Sequence, residues 1–198
     1  RECATLDYLS DGRLLPTVAV GRGDGPEWEA TGRSPKGRGA RMDEHIEVLR
    51  TLWSEEKPEF NGRFTRFSGI QSRPLPVQRP HPPIHVGGMS TAAHGRAVAQ
   101  GNGWYGFFQD LDATRAALAG LEKAAKENER PAALGKLEIS ITPPGPVDPD
   151  TAKRFEDLGV DRLILMRGMT DMMGKGNDES RDGVLGFIEE TARQFDLG

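Results

Sequence analysis

A single cysteine, Cys3, is present in the 198 residues. No internal disulfide can form, and a zinc cage built from several thiolates is excluded. No apolar run approaches the ~18–20 residues that a membrane-spanning helix requires. The first residues, RECATLDYLSDGR, are charged and lack the apolar core of a signal peptide. Neither sign of charge dominates: 26 Lys and Arg stand against 30 Asp and Glu, and the two are interspersed. There is accordingly no basic stripe, the electrostatic footprint of a nucleic-acid surface. The four histidines, 45, 81, 85 and 94, show no metal-ligand spacing. Neither a G-x-S-x-G elbow, a Walker loop nor an H-E-x-x-H motif occurs. These absences predict a soluble protein of a reducing cytoplasm, with no membrane and no nucleic acid among its partners.

Glycine and proline are plentiful, at 25 and 14 residues, but dispersed, so they read as turns rather than low-complexity sequence. ECATLDYLS reads as the end of a helix, with Ala4, Leu6, Tyr8 and Leu9 as its apolar residues. RLLPTVAVGRG (13–23) reads as a strand, with Pro16 near its start because proline removes a ladder donor. DGPEWEATG (24–32) is a loop or a short helix. Over 37–54, Met42, Ile46, Leu49, Leu52 and Trp53 recur at spacings of three and four, the stripe of an amphipathic helix. Asn61-Gly62, flanked by Phe60, Phe64 and Phe67, predicts a hairpin within 58–76.

The remaining chain alternates. Strands are expected near 84–87, 103–107, 137–142 and 161–166. Helices are expected at STAAHGRAVAQG, at 111–130, at 148–160 with proline in its first turn, and at 183–196. TDMMGKGNDESRD (170–182) reads as a polar loop. Strand and helix thus alternate five times, which implies βαβ units and a parallel sheet. The continuous LILM run (163–166) suits a strand covered on both faces. Two α/β architectures follow: a doubly wound sheet, or part of a (β/α)₈ barrel, which when complete has eight units and about 250 residues.

The stretch RPHPPIHVGGMSTAAHGRAVAQGNGWYGF (79–107) raises the main chemical question. Parallel sheets bind ligands at the carboxyl ends of their strands. Gly87 and Gly88 lie at such an end, followed by Met89 and by Ser90, which opens a helix. The amides and dipole of a helix N-terminus favour anions. The turn is therefore either a phosphate cradle or a tight connection with Ser90 as an ordinary cap. Trp104 presents a similar choice between core packing and a wall for a flavin-sized ring. His85, within a strand, and His45 and His94, on helices, read as packing or surface residues. Gly101 reads as a helix C-cap, and GRGDG (21–25) resembles a phosphate loop only faintly.

Several blocks, in this order and spacing, resemble the bacterial luciferase-like monooxygenase family: ATLDYLSDGRLLPTVAVGRG; the run from Arg41 to Trp104 with LW, FNGRF, PLPVQRPHPPI, GGMS and GNGW; and RFEDLGVDRLIL. The resemblance covers nearly the whole chain. It implies a (β/α)₈ TIM barrel that binds FMN or the deazaflavin coenzyme F420 and acts as an oxidoreductase or monooxygenase on a small-molecule substrate. It further implies that Gly87, Gly88, Met89 and Ser90, with Trp104 nearby, bind the cofactor. It names no catalytic residue here, and it places substrate contacts on variable loops, here 22–36 and 169–182. About five of the eight barrel units are present over 1–198, read as a single partial barrel domain, and the three N-terminal ones are missing. An open barrel would expose sheet edges, so a homo-oligomer is expected. A non-catalytic flavin-binding protein, or a truncated fragment, on the same scaffold is the alternative.

Overall fold

The computed structural model describes residues 1–166 and 181–196. Seven strands form among the described residues: β1 (Thr17–Val18), β2 (Phe60–Asn61), β3 (Arg66–Phe67), β4 (His85–Gly87), β5 (Gly103–Phe107), β6 (Glu138–Thr142) and β7 (Arg162–Leu163). The helices are α1 (Glu2–Leu9), α2 (Glu27–Ala30), α3 (Arg38–Ser54), α4 (Thr91–Gln100), α5 (Leu111–Glu127), α6 (Pro149–Asp157) and α7 (Arg181–Gln194), with a 3₁₀ turn at Ala132–Leu134. Five strands make one sheet in chain order, β1-β4-β5-β6-β7, and β2 and β3 make a separate pair. The β1–β4 and β6–β7 ladders are parallel. This is the open parallel α/β sheet of an incomplete barrel, as the strand–helix alternation predicts. The polar loop expected at 170–182 lies outside the described residues except for its last two positions, which open α7.

The chain divides into two compact units, Arg1–Trp104 with Leu121–Leu137, and Tyr105–Gly120 with Glu138–Gly198. In the first unit, Pro16 stands immediately before β1. Its carbonyl accepts from the His85 amide at 2.9 Å, so the missing donor costs the ladder nothing. Ile46, Trp53, Ile84, Val86, Ala97, Val98 and Trp104 form the buried core. The helical stripe read over 37–54 meets this core through Ile46 and Trp53. Arg96 on α4 ties to Asp43 on α3, Nε to Oδ1 at 2.5 Å, with the guanidinium almost wholly buried.

Helix α1 departs from its expected face. Ala4 and Asp7 are buried, whereas Leu6, Tyr8 and Leu9 are 56 %, 59 % and 75 % exposed. A carboxylate selects the inward face because it is needed there. Asp7 Oδ2 accepts from the Val77 and Gln78 amides at 2.8 and 3.1 Å, and Oδ1 accepts from Gln78 Nε2 at 2.7 Å. The same Gln78 amide nitrogen donates to the Leu14 carbonyl at 2.8 Å. One buried acid thus fastens the loop before β4 to α1 and to the approach to β1.

The hairpin forms at the expected place with a longer loop than Asn-Gly suggests. Phe60 pairs with Phe67 and Asn61 with Arg66, so Asn61 is still in the strand and residues 62–65 make the turn, closed by Gly62 N–H to Thr65 O at 2.9 Å. The Phe60 and Phe67 rings stack at 6.0 Å. Glu44 of α3 fixes the turn, because both of its carboxylate oxygens accept from the Phe64 amide, at 2.9 and 3.0 Å.

In the second unit, Ile139, Ile141, Val147, Phe155 and Val160 are buried. Asp148 caps α6, its Oδ1 accepting from the Thr151 amide at 2.7 Å, with Pro149 in the first turn. Strand β7 is shorter and less covered than the LILM run implies: Leu163 to Met166 are only half-buried. The reason is its place at the end of the strand order, where no further strand pairs with it among the described residues.

Candidate active site at the strand ends

Strand β4 delivers the chain into the Gly87–Ser90 turn. Gly87 is buried, and the chain surfaces over the next three residues, Gly88, Met89 and Ser90. Gly88 has φ +127°, in the region that favours glycine, and a Cβ there would lie 3.0 Å from Ala93 Cβ. The position therefore needs glycine on two counts, conformation and space. Ser90 is the N-cap of α4. Its backbone is extended (φ −80°, ψ 154°), and its Oγ accepts from the Ala93 amide at 3.2 Å. The His94 amide donates to the Ser90 carbonyl at 3.0 Å. The amides of Met89, Ser90, Thr91 and Ala92 have no acceptor among the described residues. Four amides without an acceptor among the described residues thus lie together in one exposed turn at the carboxyl end of a parallel strand.

Trp104 sits behind this turn. It is fully buried, and its indole Nε1 donates to the Gly88 carbonyl at 2.9 Å. The His94 ring meets the indole edge-on, with centroids 5.6 Å apart and planes at 78°. His94 Nε2 is buried without a hydrogen-bond partner, and burial pushes its pKa below the usual imidazole value. A neutral ring is the form that such a pocket tolerates. The other end of α4 is also built in. The Gly101 carbonyl and those of Ala97 and Val98 accept from the Arg130 guanidinium, at 2.9, 3.4 and 2.9 Å. Gly101, expected as a helix C-cap, has φ −89°. It needs glycine for space rather than for a left-handed turn: a Cβ there would lie 2.8 Å from the Gly103 carbonyl. The Asn102 side chain accepts from the Ile84 amide at 2.9 Å, which clips the GNGW segment to β4.

The structure therefore brings Gly87, Gly88, Met89, Ser90 and Trp104 into one assembly, with the first four forming the turn and Trp104 supporting it. His85 is buried in β4, and His81 Nδ1 lies 2.8 Å from the Pro82 carbonyl. No group of His, Cys, Asp and Glu with the geometry to hold a metal occurs among the described residues. None of their helices is long and apolar enough to cross a membrane. Sequence reading missed Arg130 and Asn102. Both work through contacts with backbone carbonyls or amides, which leave no pattern in composition or periodicity.

Comparison with known proteins gives a consistent picture. An uncharacterized protein of Mycobacterium tuberculosis (strain ATCC 25618 / H37Rv) is 31% identical over 199 aligned residues, covering 98% of this chain and 64% of the relative. The FMNH(2)-dependent dimethylsulfone monooxygenase of Pseudomonas putida is 33% identical over 136 residues, 64% of this chain and 37% of that enzyme. The chain thus spans 64% of the length of the first relative and 37% of the second. Among solved structures, an F420-dependent secondary alcohol dehydrogenase superposes with a TM-score of 0.60 at 24% identity, over 79% of this chain and 47% of that one. The monooxygenase RslO1 from Streptomyces bottropensis gives the same TM-score at 23% identity, over 96% of this chain and 55% of its own. At such identities the two structures speak for the fold. The model of the luciferase-like monooxygenases matches residues 1–195, and the chain belongs to that family.

Proposed function

We propose that this chain is part of a flavin- or deazaflavin-dependent oxidoreductase acting on a small organic substrate, and that the Gly87–Ser90 turn holds the phosphate of FMN or coenzyme F420. The observation that carries this reading is the set of unsatisfied amides at Met89, Ser90, Thr91 and Ala92 beside the start of α4. Donors so placed suit a phosphate oxygen, and the helix dipole adds to their field. Gly88 keeps the approach open, since a side chain there would meet Ala93. The Ser90 hydroxyl already accepts from the Ala93 amide and keeps its own proton to donate to an anion. Trp104 and Arg130 touch no ligand in this scheme. They hold the Gly88 carbonyl and the far end of α4, so the donors stay where an anion would meet them.

When bound, such a cofactor supplies the electron and hydride chemistry, while the protein binds and orients it. Similarity to an FMNH(2)-dependent enzyme on one side and an F420-dependent one on the other supports both cofactors as candidates.

Ser90→Ala tests the assignment. The variant removes a cap and one phosphate donor. FMN affinity is expected to fall about fivefold, the equivalent of about 1 kcal/mol. Affinity for riboflavin, which has the ring system without the phosphate, is expected to stay unchanged. If coenzyme F420 is the cofactor, the pair to compare is F420 and its phosphate-free deazaflavin. Equal weakening of both members of a pair would reduce Ser90 to a helix cap and remove the phosphate from this turn.

A further inference from the structure

A second site lies beside the carboxyl end of β1, the same sheet edge as the Gly87–Ser90 turn, because β1 and β4 run parallel. It is a cleft of about 470 Å³ between the segment that follows β1, the 22–36 loop, α3 and the hairpin turn. The residues that give it chemical character are Arg33, Arg38, Arg41, His45, Trp28 and Phe64. Its lining includes no acidic residue.

The local sequence explains the concentration of charge. Arg38, Arg41, Met42 and His45 fall at spacings of three and four on α3, so one stripe of that helix faces the cleft. The hairpin turn is pinned against α3 by Glu44, which presents Phe64 as an opposing wall. The Arg41 guanidinium lies 5.3 Å from the Phe64 centroid and donates to the Ser34 carbonyl at 3.4 Å. Trp28 is fixed by its indole N–H, which donates to the Arg22 carbonyl at 2.5 Å. The nearby acid Asp24 pairs with Arg22 at 3.2 Å and feels the Arg38 charge only at longer range. The side chains of Arg33 and Arg38 have no hydrogen-bond or ion-pair partner among the described residues. Arg38 is moreover half-buried, beside Gly23.

A half-buried guanidinium without a carboxylate is costly unless an anion satisfies it. Arg38 so placed, with the exposed Arg33 and with Arg41 beside aromatic walls, makes a receptor for an oxyanion attached to a flat apolar body. The volume suits a small organic molecule rather than a bare inorganic ion. We infer that this cleft binds an aryl-type organic anion, a carboxylate or phosphate held by Arg33 and Arg38 with its ring between Trp28 and Phe64. Naming that anion as the substrate class rests on the oxidoreductase reading above; the binding site itself does not.

Phenyl phosphate and neutral benzyl alcohol, titrated calorimetrically into the cofactor-free chain, test the inference. Phenyl phosphate is expected to bind, and benzyl alcohol at least about tenfold more weakly. Arg33→Gln, at an exposed loop residue that supports nothing else, is expected to weaken phenyl phosphate about threefold or more, and the Arg33→Gln/Arg38→Gln pair more than about tenfold. Raised salt is expected to weaken the wild type far more than the double variant. Equal binding of the neutral analogue, unchanged affinity in Arg33→Gln and the double variant, or no phenyl phosphate binding below about 10 mM would each overturn the site. Because no cofactor is present, such a failure leaves the Ser90 assignment standing, and failure of the riboflavin comparison leaves this cleft standing.

Discussion

Truncating Trp104 to alanine is expected to destabilise the protein by about 3–5 kcal/mol, the range for a fully buried large aromatic. The indole is 0 % exposed and fills the space between the Gly88 carbonyl and the His94 ring. Its removal opens a cavity, and the buried apolar residues of α4, the helix that carries His94, are Ala93, Ala97 and Val98, too small to swing in and fill it. Trp104→Phe separates packing from hydrogen bonding. Phenylalanine keeps most of the apolar contact but cannot donate, so it leaves the Gly88 carbonyl without its indole partner, at a cost of about 1 kcal/mol beyond the lost volume. Chemical denaturation of the two variants measures both quantities. The phenylalanine variant should also weaken FMN more than riboflavin, because the loosened carbonyl belongs to the turn that offers the amides. If alanine cost less than about 1 kcal/mol, Trp104 would not be the support of that turn.

The sequence made some of this legible and hid the rest for definable reasons. Helices α3 and α4 follow from short-range signals: the stripe through Ile46 and Trp53, and the cap at Ser90. The parallel order of the strands follows from the alternation itself. What periodicity cannot show is a polar residue that replaces an apolar one on an inward face. In α1 the apolar residues Leu6, Tyr8 and Leu9 invite the wrong face, because the partners of Asp7 lie 70 and 71 residues away. The same holds for Glu44 and for Arg130, whose targets are backbone groups and carry no residue identity. The Gly87–Ser90 turn was visible as a possibility, and Trp104 as a choice between core and cofactor wall. The structure shows a buried indole whose one polar atom faces the turn, a role between the two that composition could not express. The arginines of the β1 cleft were passed over because they belong to three different local contexts, a loop, a helix start and a helix turn. Only the fold collects them.

The second large effect is expected at Asp7. Asp7→Ala should cost about 3 kcal/mol, because it removes the buried acceptor of the part-buried Val77 and Gln78 amides and frees one end of the Gln78 side chain. The loss should depend on pH in a defined sense. Burial works to raise the Asp7 pKa, but the hydrogen bonds from the Gln78 side chain and from the Gln78 and Val77 amides outweigh it and hold the value below the ordinary carboxylate range. The folded value is thus depressed relative to about 3.9 in the unfolded chain. A depressed carboxylate contributes its stability above the unfolded pKa, and loses it as pH falls through the folded pKa. The stability difference between wild type and Asp7→Ala should therefore be flat above about pH 5 and shrink once the pH drops below about 4. Asp7→Asn refines the comparison: its single carbonyl can still face one of the two backbone amides, so it should be less damaging than alanine while showing the same loss of acid sensitivity. Denaturant midpoints for the three proteins across this range provide the measurement. A difference that stayed constant through acid pH would mean that Asp7 acts through packing alone. A difference that grew on acidification would reverse the sign and remove the charged anchor between α1 and the loop that leads into β4.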